Sequence, residues 1–170
     1  MKRLLLICIL FFMQLCVMAQ CMDVPGNCKL ETKEDFDRQE PSVIKCIDWF
    51  LSTPIDEVGN NRNEVSSFIM KWISGTPTVT VVISDVLKPL MEEKGYPYST
   101  DLIMVYVAGM AKFAIQNPGN DDKTKVQLFG IESMINSYSK ISGKCKSKSM
   151  EKFISLQKKG QLELWVSNHL

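Results

Sequence analysis

The side chains able to do chemistry are few and scattered. The one histidine, His169, is the penultimate residue, and a chain end is a poor mount for a general base because little holds it against a substrate. Asp85, Tyr106 and Tyr138 are the acid and hydroxyl groups from which a hydrolase-type site outside the familiar motifs would be built. Asn117–Asp122 gathers polar oxygens but lacks the alternating ligands and distal glutamate of a calcium loop. It is read as a chain break, with Asp121 or Asp122 capping the helix that follows. Glu92 and Glu93 are read as carboxylates on the wet side of their helix. The sequence has no nucleophile elbow, phosphate loop, paired-histidine motif or redox Cys-x-x-Cys. No metal and no cofactor is expected, and an enzyme is the secondary reading.

The first residues set the expected compartment. Lys2 and Arg3 precede an apolar run from Leu4 to Val17, and Val17-Met18-Ala19 offers small residues for cleavage. The run is short of the roughly 20 residues that span a bilayer. Residues 1–19 are therefore expected to be a cleaved signal peptide, with export to the periplasm or cell exterior and no stable membrane insertion afterwards. Four cysteines follow it, Cys21, Cys28, Cys46 and Cys145, and an even count in an exported chain points to disulfides. Cys21 and Cys28 flank a Pro-Gly turn signal and can close a local loop. Cys46 would then pair with Cys145, closing a loop worth about 4–5 kcal/mol in the chain-entropy reckoning. The alternative is that Cys46 is a free core thiol beside the apolar face of its helix.

Formal net charge is +1. That balance argues against a nucleic-acid partner, which calls for a strongly basic surface. Residues 20–40 are acidic and are read as an extended arm. Late in the chain Lys144, Lys146, Lys148, Lys152, Lys158 and Lys159 form a basic run that is read first as solvated surface charge, with a patch that meets a partner as the alternative.

The elements needed to position these groups are helical. Pro41 suits a first helical turn, and Val43, Ile44, Ile47, Phe50 and Leu51 follow at helical spacing. Asn61 and Glu64 form a capping-box pattern ahead of Val65, Phe68, Ile69, Trp72 and Ile73, with Gly75 as the stop. The stretch after Thr76-Pro77 is ambiguous. Its β-branched residues favour a short strand near 79–83, but Val79, Val82, Ile83, Val86, Leu87 and Leu90 fit helical spacing. The helix is preferred, with a kink or restart near Pro89.

Leu102–Ile115 is apolar on nearly every side and interrupted in charge only by Lys112. It is expected to be the buried central helix, about 99–117. Its small residues Ala108, Gly109, Ala111 and Ala114 would let the next helix approach closely at Gly130. That helix carries Leu128, Ile131, Met134, Ile135, Tyr138 and Ile141 inward. Ser147 or Ser149 opens a further helix, and a terminal turn with Leu162, Trp165 and Val166 is expected to fold back as a lid. Trp49, Trp72, Tyr106, Phe113, Tyr138 and Trp165 are read chiefly as core, with a pocket lining as the alternative.

With these residues in place, the segments KWISGTPTVTV, VYVAGMAKFAI and KKGQLELWV resemble those of a family of small exported helical proteins from Bacteroidetes, a family without an assigned activity. The likeness runs from the first helix to the C-terminus, and the MAQ end of the leader is similar too. A fainter similarity, carried by the YVAG helix, export and the cysteines, is to periplasmic helical immunity proteins that neutralise amidase effectors. Neither resemblance transfers a site residue.

The expectation is an all-α single domain over 41–170, with five to six helices around the central one. Its expected function is that of an exported, non-enzymatic binding protein whose partner is another exported or envelope protein. A hydrolase-type enzyme and a carrier of a small apolar ligand are the alternatives.

Overall fold

The computed structural model describes residues 21–26, 28–143 and 145–170. The proposed leader and Lys144 lie outside the described residues. Among the described residues the fold is all-helical: α1 (Lys33–Ser52), α2 (Arg62–Gly75), a 3-10 turn (Asp85–Leu87), α3 (Lys88–Met91), α4 (Ser99–Gln116), α5 (Lys123–Tyr138), α6 (Lys148–Lys158) and α7 (Leu162–Ser167). No strand occurs in them.

α4 is the centre. Its residues Leu102 and Val105–Ala111 are buried, and it packs against α5 over its length and against α1 and α2 on its other sides. The close crossing expected between Gly109 and Gly130 is present. A Cβ on Gly109 would lie 3.3 Å from the Gly130 Cα, and a Cβ on Gly130 would lie 2.6 Å from the Tyr106 ring. Glycine's absent side chain is what lets the two backbones meet, at a helix-propensity cost of about 1 kcal/mol each. α6 and α7 pack on α5 and on each other, with Leu162 and Val166 buried, so the terminal turn covers one side of the bundle as expected.

α1 starts at Lys33, not at Pro41. Thr32 and Asp35 make a reciprocal capping box, which satisfies two amides that a helix start leaves orphaned. Pro41 removes the hydrogen bond to the Asp37 carbonyl, but both residues are exposed, so water replaces the lost donor. The added turns are held by tertiary contacts. Phe36 is buried, its carbonyl accepts from Trp72 Nε1 at 3.0 Å, and its ring fills the space that a side chain at Gly75 would need. The acidic arm is thus helical over residues 33–40.

The segment after α2 corrects the sequence reading most. Residues 76–84 are neither helix nor strand. Thr76 and Ser84 have extended backbone angles, and the helical turns start only at Asp85. Pro89 sits in the first turn of α3, a restart and not a kink. The β-branched run Thr78–Ile83 loses side-chain freedom in a helix, and the described residues hold no strand to pair with it.

A candidate interaction face along residues 76–84

The irregular segment is fastened to the bundle at a few points. Val79 is buried. Gln127, on the inner side of α5 and buried, donates from Nε2 to the Val82 carbonyl at 2.7 Å and accepts from Ser84 Oγ at 3.0 Å. Thr76 Oγ1 accepts from the Thr78 amide at 3.3 Å, and Ser84 O accepts from Leu87 N at 3.1 Å. The amides of Val79, Thr80, Val81, Val82 and Ile83 make no hydrogen bond among the described residues. Val82 and Ile83 are 61% and 52% exposed, large values for apolar residues one beside the other.

Two grooves flank this segment. One, of about 410 Å³, is walled by Val82, Val126 and Leu170 with Gln127 and Lys123. The other, of about 560 Å³, is walled by Val79, Ala114, Ile115 and Val126 with Glu40 and Asp121. Thr80, Asn120, Asp121 and Val126 belong to both, so the two grooves adjoin. Gln127 is the residue that sequence reasoning missed. It lies four and seven places before Ile131 and Met134, in phase with the inner stripe of α5. A polar side chain in that phase signals a buried partner.

The residues considered for hydrolysis are not brought together. Asp85 is exposed, and Tyr106 is wholly buried. The Tyr106 hydroxyl faces Ser84, and burial raises its pKa, with Ser84 opposing. Tyr138 belongs to a third place. Its hydroxyl donates to Glu151 at 3.0 Å and accepts from the Ser147 amide at 3.2 Å, and its ring packs against Tyr96.

Beside Tyr138 the expectation for Glu93 is corrected. It is not idle in solvent. Its carboxylate accepts from Ser147 Oγ at 2.8 Å, from Lys148 N at 2.7 Å and from Ser149 N at 3.0 Å, so it caps α6 from another element. Burial pulls the Glu93 pKa up, but the donors at Ser149, Ser147 and Lys148 outweigh it and leave it below the usual value. With its oxygens engaged, Glu93 organises the α3–α6 junction and is not poised for acid–base work.

Asn61 also departs from its expected role. It precedes α2, but its side chain does not cap that helix. Its Oδ1 accepts from Met22 N at 2.9 Å, and its Nδ2 donates to Met22 O at 2.7 Å. The pair of bonds pins the start of the described chain to the loop before α2. At the other break, Asp122 caps α5 by accepting from Lys125 N, as expected. The oxygens of Asn117 and Asn120 lie in local turn contacts, and no metal-ligating cluster occurs among the described residues.

All four cysteines are free, so neither expected bridge is present. Cys46 is buried in the core, and Cys145 is exposed between α5 and α6. The alternative reading of Cys46 as a core thiol is the correct one, and burial, with Asp23 nearby, pushes its pKa up to about 11. Cys21 is exposed and Cys28 partly so. The lysines Lys146, Lys148, Lys152, Lys158 and Lys159 are exposed. Lys152 stands 4.8 Å from the centre of the Trp165 ring, whose indole also stacks with His169 at 4.0 Å. Of the aromatics, Trp72 and Tyr106 are fully buried core.

The chain matches no protein-family model, no curated protein and no solved structure in the comparisons made. No described helix is long and apolar enough to cross a membrane.

Proposed function

We propose that this is an exported, non-catalytic binding protein whose partner, another exported or envelope protein, docks on the face formed by residues 76–84. The observation that carries this reading is the neutral segment itself. It holds Val82 and Ile83 in solvent while Gln127 fixes its backbone from beneath. Paired apolar exposure beside a groove is a feature of interaction surfaces. The composition of residues 1–19 supports export, as does the resemblance to exported Bacteroidetes proteins.

The test is site-specific photo-crosslinking in a bacterium that exports the chain. A crosslinker at Val82 is expected to capture one defined protein that a crosslinker at Val58, exposed in the loop between α1 and α2, does not. Equal capture from both positions, or retention of the chain in the cytoplasm, would overturn the reading. Carriage of a small apolar ligand is a second reading, favoured by the roughly 410 Å³ groove, which falls in the size range of ligand pockets. A solvatochromic dye displaced from this groove by small apolar molecules would support it.

A further inference from the structure

Resting on the reading of residues 76–84 as a binding face, we infer that its occupant is an extended polypeptide segment with alternating apolar side chains and a flanking lysine or arginine. It adds to Val79–Ile83 as a paired strand.

The main chain supplies the first argument. Val79–Ile83 offers a row of amides with no hydrogen bond among the described residues, and of its carbonyls only that of Val82 is taken, by Gln127. Drawn out as a strand, these five residues would present about 17 Å of pairing edge. Proteins ordinarily guard such an edge with charge, with proline inside it or with a covering element. No residue from Thr76 to Ser84 is charged, and the one proline, Pro77, lies before the unbonded row. Strand addition takes its affinity from these main-chain groups and its specificity from pockets for alternate side chains.

The grooves supply the second argument. Both run beside the unbonded row, share Thr80 and Val126, and have apolar walls. Each is large enough for a branched aliphatic or aromatic side chain of an added strand.

Charge selects the partner. Glu40 and Asp121 line the larger groove, Lys123 lines only the smaller one, and none of the three is in an ion pair among the described residues; the larger groove is the anionic one. A cationic side chain at the end of the added strand meets them, and complementary charge of this kind sets register and speeds encounter. A second copy of this chain pairing through the same segment would bring no cation, because Thr76–Ser84 contains none.

The probe is a fluorescein-labelled heptapeptide, Lys-Val-Thr-Val-Thr-Val-Lys, titrated with the full chain and followed by anisotropy. Saturable binding is expected. Replacing both lysines with glutamate, or N-methylating alternate valines, weakens it at least about tenfold. The double variant Glu40→Gln/Asp121→Asn reduces affinity for the lysine peptide and raises that for the glutamate peptide, so that the two converge. Val82→Lys, at an exposed site, keeps the helical circular dichroism and lowers binding.

Absence of saturable binding, or binding indifferent to N-methylation, overturns the inference. So does concentration-dependent dimerisation abolished by Val82→Lys without peptide binding, which would make a second copy the occupant. A single partner captured at Val82 alongside a silent peptide titration would leave the binding role standing and remove only the strand-addition mode.

Discussion

The guanidinium carbon of Arg62 lies 3.8 Å from the centre of the Phe50 ring, and its Nη1 donates to the Phe50 carbonyl at 2.8 Å and to the Thr53 carbonyl at 3.0 Å. Arg62, the first residue of α2, therefore closes the C-terminus of α1. Lys140 joins it from beyond α5, donating to Leu51 O and Ser52 O at 3.1 and 3.2 Å. Two cations thus meet the carbonyl end of one helix, where the macrodipole favours positive charge. The charge is incompletely compensated, because Nε and Nη2 of Arg62 are buried without hydrogen-bond partners among the described residues. Burial lowers its pKa to about 10, with Asp101 opposing. Arg62→Ala should destabilise the fold by about 2–4 kcal/mol, through lost packing and two uncapped carbonyls. Arg62→Met keeps the volume and removes the buried charge, so it should cost clearly less. Urea unfolding of the two variants side by side checks the order.

Glu93 ties stability to acid. Its folded pKa lies below the ordinary 4.5 because the donors at Ser149, Ser147 and Lys148 outweigh burial. A carboxylate with a depressed folded pKa contributes stability that is present above its unfolded value and lost as pH falls through the folded one. The difference in stability between the native chain and Glu93→Gln should be greatest near neutrality, at about 1 kcal/mol, and should close as pH falls from the ordinary 4.5 through the lower folded value. Urea melts across that range read it directly.

At the α4–α5 crossing, Gly130→Ala places a methyl against Tyr106 and Met110 at 2.6–2.9 Å. Both neighbours are fully buried and have nowhere to move, so a loss of about 1–3 kcal/mol is expected despite alanine's better helix propensity. Gly109→Ala instead meets Ser133 Oγ at 2.5 Å and its Cβ at 2.8 Å. Adding Ser133→Gly should recover part of that loss, a coupling that a double-mutant cycle of thermal melts measures.

Release of the first described residues should be separable from unfolding. Asn61→Ala removes both hydrogen bonds to Met22. Amide exchange at Met22 should then approach that of an unprotected chain, while α1 and α2 keep their protection and global stability falls by no more than about 1 kcal/mol. Hydrogen-exchange mass spectrometry distinguishes this from a general loosening.

Thiol chemistry tests the cysteine assignments. With Cys46 buried and its pKa pushed up to about 11, the native chain should label quickly at Cys21, Cys28 and Cys145 and only on unfolding at Cys46. Mass mapping of alkylated peptides with and without denaturant gives the answer. A fast-labelling Cys46, or a mass lower by a disulfide, would contradict the free-thiol arrangement.

Much of the helical frame was legible from residue spacing. Leu102–Ile115 lies within α4, and Val65, Phe68, Ile69 and Trp72 are the buried stripe of α2. Asp122 and Ser147 cap the helices they were expected to cap. The α1 start was not legible from Pro41 alone, because water at the exposed Asp37 carbonyl and the Phe36–Trp72 contact offset the proline. Gln127 was legible in part, being a polar residue in phase with an apolar stripe, but the Val82 carbonyl that it serves is 45 residues away in sequence.

The sequence by itself determined the all-helical class, the central helix and the glycine crossing, because helix periodicity, caps and small residues act over a turn or two of chain. Only the tertiary structure decided the state of residues 76–84, the capping of α6 by Glu93, the clasp of Asn61 on Met22 and the isolation of Cys46. Each of these depends on a partner brought close by packing. The β-branched segment shows the reason most clearly. Local preference argues for a strand and spacing for a helix, but the bundle offers it one glutamine, a buried seat for Val79 and, among the described residues, no strand to pair with.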